Sequence, residues 1–237
     1  MKKVLVLGGS SKIAQALIPQ LRKKSFDVYT TTRHKHQVSL NFLYLDLVDV
    51  VSFKTDIKFD SLILCASLTK IHDCEMNVGL SGQINYRAQI QLVEYFKSQN
   101  PNIHVLFLST NAVFDGKKPF YDVTDKPCPK TVYGLHKAMT EEKLQTMHPA
   151  LSIIRLTKVL TPNFPLLKTW IHDLENKKPI YPFADVWLAP IAINQVVDLI
   201  IRILVDERYG LFHISGQEEI SYYRLAQEIC HWHGLDE

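Results

Sequence analysis

The stretch VLVLGGSSKIAQAL, residues 4 to 17, has the pattern of a buried strand, a tight turn and a helix. The continuous apolar run before Gly8 is typical of a strand covered on both faces, as in a parallel sheet. A turn of this kind that holds a dinucleotide uses glycine at three places, for the tight turn, for close approach of the pyrophosphate and for helix packing. Gly8 fills the first place, whereas Ser11 and Ala14 occupy the second and third.

The turn by itself leaves two interpretations open. In the first, Gly8 and the residues Ser10, Ser11, Lys12 and Ile13 face the phosphates of a dinucleotide, with the serine hydroxyls and the helix N-terminus as donors. In the second, Ser11 is an ordinary N-cap that begins a helix.

Apolar, β-rich runs alternate with segments of helical period along the first two thirds of the chain. This alternation predicts right-handed crossovers and an α/β fold of the Rossmann type, a doubly wound parallel sheet. The predicted strands are residues 2–8, 26–32, 42–46, 61–67, 103–110 and 151–157, and the predicted helices include 11–24, 82–98 and 132–147.

The rhythm changes after Leu160, where prolines and aromatic residues become frequent. We therefore predict an NAD(P)-binding domain over residues 1–160 and a small, shortened substrate lobe over 161–190 and 208–237. A helix over 191–207 is expected to pack back on the first domain, before a strand at 209–215 and a last helix at 221–232. Four aromatic residues of this region are interpreted either as stacking groups for a base or sugar or as core of the lobe; they are Trp170, Tyr181, Phe183 and Trp187.

Composition narrows the functional class. The net formal charge is +3 and the basic residues are scattered along the chain, so nucleic acid is not the expected partner. The sequence contains no uninterrupted run of 18 apolar residues, so we expect no membrane span. The four cysteines are far apart, which favours reduced thiols in a cytoplasmic protein. The pairs His34/His36 and His231/His233 lack further ligands at a recognisable spacing, and we expect no metal site.

The end of the second predicted strand, TTTRHKH, indicates the cofactor. A site for NAD usually has an acidic residue there, whereas Arg33, helped by Lys35 or Lys12, suits a 2′-phosphate. The segment therefore favours NADP(H) over NAD(H), with a solvated basic loop as the alternative.

Two further segments, FLSTNAVFDG (107–116) and VYGLHKA (132–138), carry candidate catalytic residues. Tyr133 and Lys137 are four residues apart and lie on one face of a predicted helix. A cation beside a phenol lowers its pKa, which makes Tyr133 a candidate acid. A Tyr-x-x-x-Lys pair arises by chance in a chain of this composition, so the pair gains weight only from the hydroxyl residue Thr110 upstream and the N-terminal turn.

With these motifs in order, the chain resembles the extended short-chain dehydrogenase/reductase family, and within it the subgroup of dTDP-4-dehydrorhamnose reductase. The resemblance spans nearly the whole chain and also includes LTKIHDCE (68–75) and GLFHISG (210–216). It implies that Thr110 polarises a substrate carbonyl, that Tyr133 donates the proton, and that Lys137 holds the nicotinamide ribose. It further implies cofactor contacts along the strand ends, made by Asp46, Leu47, Cys65, Ala66 and Ser67, with residues 153–162 under the nicotinamide.

The resemblance implies an NADP(H)-dependent reductase of a sugar nucleotide or a related keto compound. The chain departs from the pattern of the subgroup at Ser11, Ala14, Asn111 and His136. Because relatives continue beyond the position of Glu237, we expect a smaller or incomplete substrate pocket. The alternatives are a non-catalytic NADP-binding regulatory subunit, like the β subunit of methionine adenosyltransferase, and a nucleotide-sugar epimerase. Helices 82–98 and 132–147 are interpreted either as a homodimer interface or as the cover of the sheet.

Overall fold

A computed structural model of the chain describes residues 1–235 and divides into two compact units. The first unit comprises residues 1–156 and 197–213, and the second comprises 157–196 and the chain from 214 onward.

The first unit is built on a seven-stranded sheet of order β10-β6-β5-β4-β1-β2-β3, in which every pair from β3 across to β6 is parallel. The strands are β1 Lys3–Leu7, β2 Asp27–Thr32, β3 Phe42–Tyr44, β4 Ser61–Leu64, β5 His104–Thr110, β6 Leu151–Leu156 and β10 Gly210–Ile214. Because β2 and β4 flank β1, the strand order reverses at β1, and in such sheets ligands bind at that switch point beyond the carboxyl ends of the strands. The predicted Rossmann-type fold is confirmed.

Helices connect these strands. They are α1 Lys12–Lys23, α2 Ile71–Met76, α3 Val78–Gly82, α4 Ala88–Gln99, α5 Val132–Met147 and α7 Ile193–Val205. The apolar strand residues pack with Leu92, Val93 and Phe96 of α4 and Leu144 of α5 in one buried core. None of the helices among residues 1–235 is long and apolar enough to cross a membrane.

The predicted helix over 82–98 differs from the structure at its start. Residues Gln83–Arg87 form a π-helical turn between α3 and α4. A π turn rotates the following side chains relative to an α-helix and is frequent at functional sites. Its central residue, Asn85, is fully buried.

The second unit contains β7 Val159–Leu160, α6 Pro165–Glu175, β8 Trp187–Leu188, β9 Ile191–Ala192, β11 Ile220–Ser221 and α8 Tyr222–His233. Its core joins α6 and α8 through Trp170, Leu225 and Ile229. The other three aromatic residues of interest, Tyr181, Phe183 and Trp187, are exposed.

The boundaries differ from the predicted ones near both ends of the lobe. Residues 208–213, which we predicted to belong to the small lobe, lie in the first unit because β10 is the edge strand of the main sheet next to β6. The first break falls after Leu156 rather than after Leu160.

We expect the protein to lose stability in mild acid because of His104, whose ring is buried at the start of β5. Burial lowers the pKa of His104 to about 4, an effect opposed by the nearby Glu207 and reinforced by Lys2 and His148. An unfolded histidine has a pKa near 6.5, so the unfolded chain binds more protons between these values. The stabilisation is complete above pH 6.5 and is lost as the pH falls toward 4.

Urea unfolding at pH 7.5 and pH 5.0 measures this loss as a difference in the free energy of unfolding. We expect His104 to contribute about 1–2 kcal/mol to that difference. The variant His104→Gln should lose correspondingly less stability between the two pH values, whereas His36→Gln, at an exposed position, should behave like the parent. An identical pH dependence in His104→Gln would contradict the assignment.

Candidate active site

The turn after β1 depends on two adjacent glycines. Gly8 has φ +82°, and a Cβ there would lie 2.7 Å from the Cβ of Ala66. At Gly9, which the sequence analysis did not single out, a Cβ would lie 2.4 Å from the Thr30 hydroxyl. The GG doublet was the signal for this second position, because two adjacent glycines mark a backbone that tolerates no side chain on either residue.

Ser11 occupies the N-cap of α1. Its hydroxyl accepts from the backbone N–H of Ala14 at 3.1 Å, and its own N–H donates to Gly8 O at 2.9 Å. Of the first N–H groups of α1, those of Lys12 and Ile13 have no partner in the described part of the chain. The N-cap interpretation is thus correct, and it leaves two donors and the positive end of the helix dipole for an anion.

Three threonines of β2 support the turn from below. The Thr31 hydroxyl accepts from Gly8 N at 2.9 Å, and the Thr30 hydroxyl donates to Val6 O at 2.8 Å. Thr32 accepts from His34 N at 3.0 Å and bonds Gln37 at 2.8 Å. These last two bonds fold the basic segment back on the strand end and leave Arg33 exposed.

The remaining candidate residues follow the carboxyl ends of parallel strands and therefore lie on the same side of the sheet, beyond those strand ends. Asp46 and Leu47 follow β3, and the Asp46 carboxylate accepts from Val48 N at 2.9 Å. Cys65, Ala66 and Ser67 follow β4 and are half-buried.

Asn85 of the π turn fixes the segment after β4. Its side chain accepts from the Ser67 hydroxyl at 2.7 Å and from Leu68 N at 2.8 Å, and donates to Leu68 O at 2.9 Å. The sequence analysis missed this residue, since a single asparagine in a helical segment carries no distinctive signal. Asn85 therefore sets the position of the Ser67 hydroxyl.

Thr110, Ser67 and Tyr133 form one cluster of hydroxyl groups. Burial raises the pKa of Tyr133 to about 12, assisted by Cys74, while hydrogen bonding with Thr110 and Ser67 acts in the opposite direction. We expected a lowered pKa from Lys137, and the structure shows the reverse. The reason is burial, which disfavours the charged phenolate, while Lys137 Nζ donates to Leu108 O at 2.6 Å.

Lys137, one turn further along α5 than Tyr133, is almost fully buried. Burial lowers the pKa of Lys137 to about 7, against the raising effect of Glu141 and Cys65. The Nζ also lies 4.0 Å from the centre of the Phe107 ring, a cation–π contact. The Cys65 thiol has its pKa raised by burial to about 12, so it is neutral near Lys137.

His136, where the family has a small hydroxyl residue, faces away from the hydroxyl cluster. Its Nδ1 lies 2.9 Å from the Ser81 hydroxyl, in the contact between α5 and α3. Burial lowers the pKa of His136. This substitution is thus accommodated in the packing of the helices.

A dinucleotide fits the residues of this edge. Backbone without side chains at Gly8 and Gly9, unpaired amides at Lys12 and Ile13, and an exposed cation at Arg33 are the features that a pyrophosphate and a ribose phosphate require. Among residues 1–235 no group of three or more His, Cys, Asp or Glu side chains is arranged for a metal ion, and the four cysteines carry free thiols.

The chain is similar to known proteins over nearly its whole length. The family model described as RmlD substrate binding domain matches residues 1–237. A dTDP-4-dehydrorhamnose reductase of Aggregatibacter actinomycetemcomitans is 27% identical over 243 residues, which covers 97% of this chain and 78% of that protein. Methionine adenosyltransferase 2 subunit beta of Danio rerio is 22% identical over 252 residues, covering 97% and 73%.

Solved structures show the same fold. A dTDP-4-dehydrorhamnose reductase from Clostridium acetobutylicum superposes with a TM-score of 0.87 at 23% identity, covering 99% of this chain and 81% of that one. A dTDP-4-dehydrorhamnose reductase from Bacillus anthracis, solved in complex with NADP, gives 0.86 at 23% identity, covering 100% and 82%.

The start of α5 lies very close to the segment that follows Thr110, and substitution of Gly134 tests this approach. A Cβ at Gly134 would lie 2.0 Å from Ala112 O. We expect Gly134→Ala to lower the free energy of unfolding by about 2–3 kcal/mol through overpacking, measured by urea unfolding. Gly79→Ala, where the nearest atom would be 3.8 Å away, is the matched control and should be neutral or slightly stabilising. Equal stability of the two variants would refute the close approach.

Proposed function

The chain belongs to the family of the RmlD substrate binding domain, and from this premise we propose that it is an NADP(H)-dependent reductase of a nucleotide-activated keto sugar, of the class of dTDP-4-dehydrorhamnose. The observation that carries the proposal is that Tyr133 and the buried Lys137 lie one turn apart on α5, with Lys137 Nζ bound to Leu108 O, two residues before Thr110 on β5. Relatives named dTDP-4-dehydrorhamnose reductase support the substrate class.

In this proposal a ketone oxygen of the sugar takes hydrogen bonds from Thr110 and Tyr133. When bound, NADPH supplies the hydride for the carbonyl carbon. Tyr133 supplies the proton to the oxygen, which becomes a secondary alcohol. The alkoxide that develops there is a stronger base than a phenolate, so a phenol with a pKa near 12 is able to donate to it. Burial of Tyr133 keeps that proton in place until the oxygen becomes basic.

Lys137 acts after the proton has moved. The phenolate left on Tyr133 carries a negative charge in a site of low polarity, where a nearby ammonium stabilises it. Lys137 lies one helical turn further along α5, with Nζ held by Leu108 O at 2.6 Å. We assign to it the nicotinamide ribose hydroxyls as well, as the family resemblance implies.

The dinucleotide itself is assigned to the edge formed by the turn and the strand ends. Gly8, Ser10, Ser11, Lys12 and Ile13 face the pyrophosphate in this proposal. The adenosine and ribose contacts are assigned to Arg33, Asp46, Leu47, Cys65, Ala66 and Ser67. A preference for NADP(H) over NAD(H) is proposed because Arg33 is an exposed cation at the end of β2.

A regulatory subunit is the second candidate, favoured by the likeness to methionine adenosyltransferase 2 subunit beta over most of the chain. It predicts tight NADPH binding without turnover of any keto sugar. A homodimer through the α4 and α5 region and a cytoplasmic location stay predictions.

Tyr133→Phe should reduce kcat for NADPH-dependent reduction of dTDP-4-dehydrorhamnose by about 10²–10⁴-fold, because the proton donor is lost. The affinity for NADPH, measured by fluorescence titration, should change little. Tyr223→Phe, at an exposed position of the second unit, is the control and should keep full activity. Turnover that survives in Tyr133→Phe would exclude the assignment, and NADPH binding without turnover in the parent protein would favour the regulatory subunit.

Arg33→Ser should weaken NADPH binding by about 10–100-fold while leaving the affinity for NADH unchanged, because an arginine–phosphate contact is lost. Isothermal titration with both cofactors measures the ratio. Arg22→Ser, another exposed arginine of the same unit, should leave both affinities as they were. A parallel loss for NADH would show that Arg33 does not contact the 2′-phosphate.

A further inference from the structure

Successive residues of β5 hold different side chains of α5. Leu108 O accepts from Lys137 Nζ at 2.6 Å, and the Ser109 hydroxyl donates to the Glu141 carboxylate. The next residue, Thr110, is close enough to Tyr133 to oppose the rise of its pKa. Glu141 lies one turn beyond Lys137 and two turns beyond Tyr133, so all three helical residues face the strand. The helix and the strand are therefore in fixed register at the candidate catalytic groups.

Arg155 of β6 holds Glu141 in this place. The register of the sheet pairs Arg155 with Ser109. The guanidinium donates to both carboxylate oxygens of Glu141, from Nη2 to Oε2 at 2.7 Å and from Nε to Oε2 at 3.1 Å and Oε1 at 3.2 Å. Both side chains are at most 4% exposed. A two-pronged contact of this kind fixes orientation as well as distance.

His213 of β10 extends this series of hydrogen bonds to the segment that follows Thr110. Its Nε2 lies 3.2 Å from Arg155 Nη1, which is a donor only, and its Nδ1 lies 3.1 Å from Tyr121 O, which is an acceptor only. Both contacts are satisfied by one neutral tautomer, protonated on Nδ1. Burial lowers the pKa of His213, reinforced by Arg155 and opposed by Glu141 and Asp122.

Tyr121 in turn fixes the segment that leads from Thr110 to Tyr133. Its ring stacks on Phe114 with centroids 4.2 Å apart and planes within 7°, and its hydroxyl bonds with Asp115. The segment between the two candidate catalytic residues is thus tied to α5 through His213, Arg155 and Glu141.

Stability alone does not account for a buried ion pair. Removing two charges from water costs several kcal/mol, and well-packed apolar side chains of similar volume are often as stable or more so. Glu141, however, is the carboxylate whose charge acts on the buried Lys137. A charge that stabilises the protonated lysine is of use only if Lys137 has to be charged.

We propose that Glu141, Arg155 and His213 are positioning residues of the reductase site, which hold Lys137 and Thr110 in register with Tyr133. For the reaction itself, this role of the three residues rests on the proposed function. Their effect on the ionisation of Lys137 is measured separately, without any substrate.

The test is the double variant Glu141→Leu/Arg155→Met, which removes both charges and keeps the volume. The urea midpoint should equal or exceed that of the parent, whereas kcat with NADPH and dTDP-4-dehydrorhamnose should fall at least about tenfold. In ¹³C-labelled lysine NMR spectra of the protein without ligands, the pKa of Lys137 should move below its parent value, because the raising effect of Glu141 is gone. The matched control is Lys2→Met/Glu207→Leu, an exposed ion pair that should change neither kcat nor the ionisation of Lys137.

Parent activity in the stable double variant, or an unshifted pKa of Lys137, overturns the inference. If the parent protein does not reduce the keto sugar, the proposed function fails while the NMR titration still decides whether Glu141 controls the charge of Lys137. His213→Asn keeps an amide donor toward Tyr121 O, but the shorter side chain has no atom at the position of Nε2, which accepts from Arg155. We expect this variant to retain more kcat than His213→Leu, and an equal loss in both would count against the role of the tautomer.

Discussion

The contact between α5 and β5 is the constraint on which the site depends. Gly134 brings the start of the helix so close to the Thr110 segment that a methyl group has no room. Further along, Lys137 and Glu141 are bound by Leu108 O and Ser109. Backbone proximity and side-chain bonds thus fix the same register, and a helix held in this way cannot slide or rotate without leaving a buried charge unpaired.

The turn after β1 shows how the loss of two glycines is compatible with a phosphate site. The Ser11 hydroxyl is the N-cap of α1 and accepts a hydrogen bond from Ala14 N. An N-cap of this kind stabilises the first turn of a helix by roughly 1 kcal/mol. The tight turn depends on Gly8 and Gly9, the two positions where a Cβ would collide with Ala66 or Thr30. The amides of Lys12 and Ile13 have no partner in the described part of the chain, so the proposed phosphate contact rests on the helix end as well as on the glycines.

Much of the fold was predictable because alternating apolar strands and amphipathic helices admit few arrangements. The parallel sheet, Thr110 at a strand end and Tyr133 at the start of a helix follow from that alternation and from the resemblance. The edge strand β10 was misplaced because its short sequence carries no information on which sheet it joins. The buried network was missed even though Arg155 stands as a charge inside the apolar run LSIIRLT, since a charged residue in a strand does not name its partner until Glu141 and His213 are brought beside it.

Burial acts in opposite directions on the two ionisable groups of the site, and this explains the difference from the sequence-based expectation for Tyr133. Low polarity disfavours the charged form of each group, so it raises the pKa of the phenol to about 12 and lowers that of the ammonium to about 7. A tyrosine and a lysine at this spacing do not by themselves make an acidic phenol, because the cation is as strongly affected by burial as the phenol. Glu141, one turn beyond Lys137, raises the pKa of that lysine. In the proposed reaction, Tyr133 donates its proton from one turn of α5, and Glu141 acts on the charge of Lys137 from two turns further along the helix.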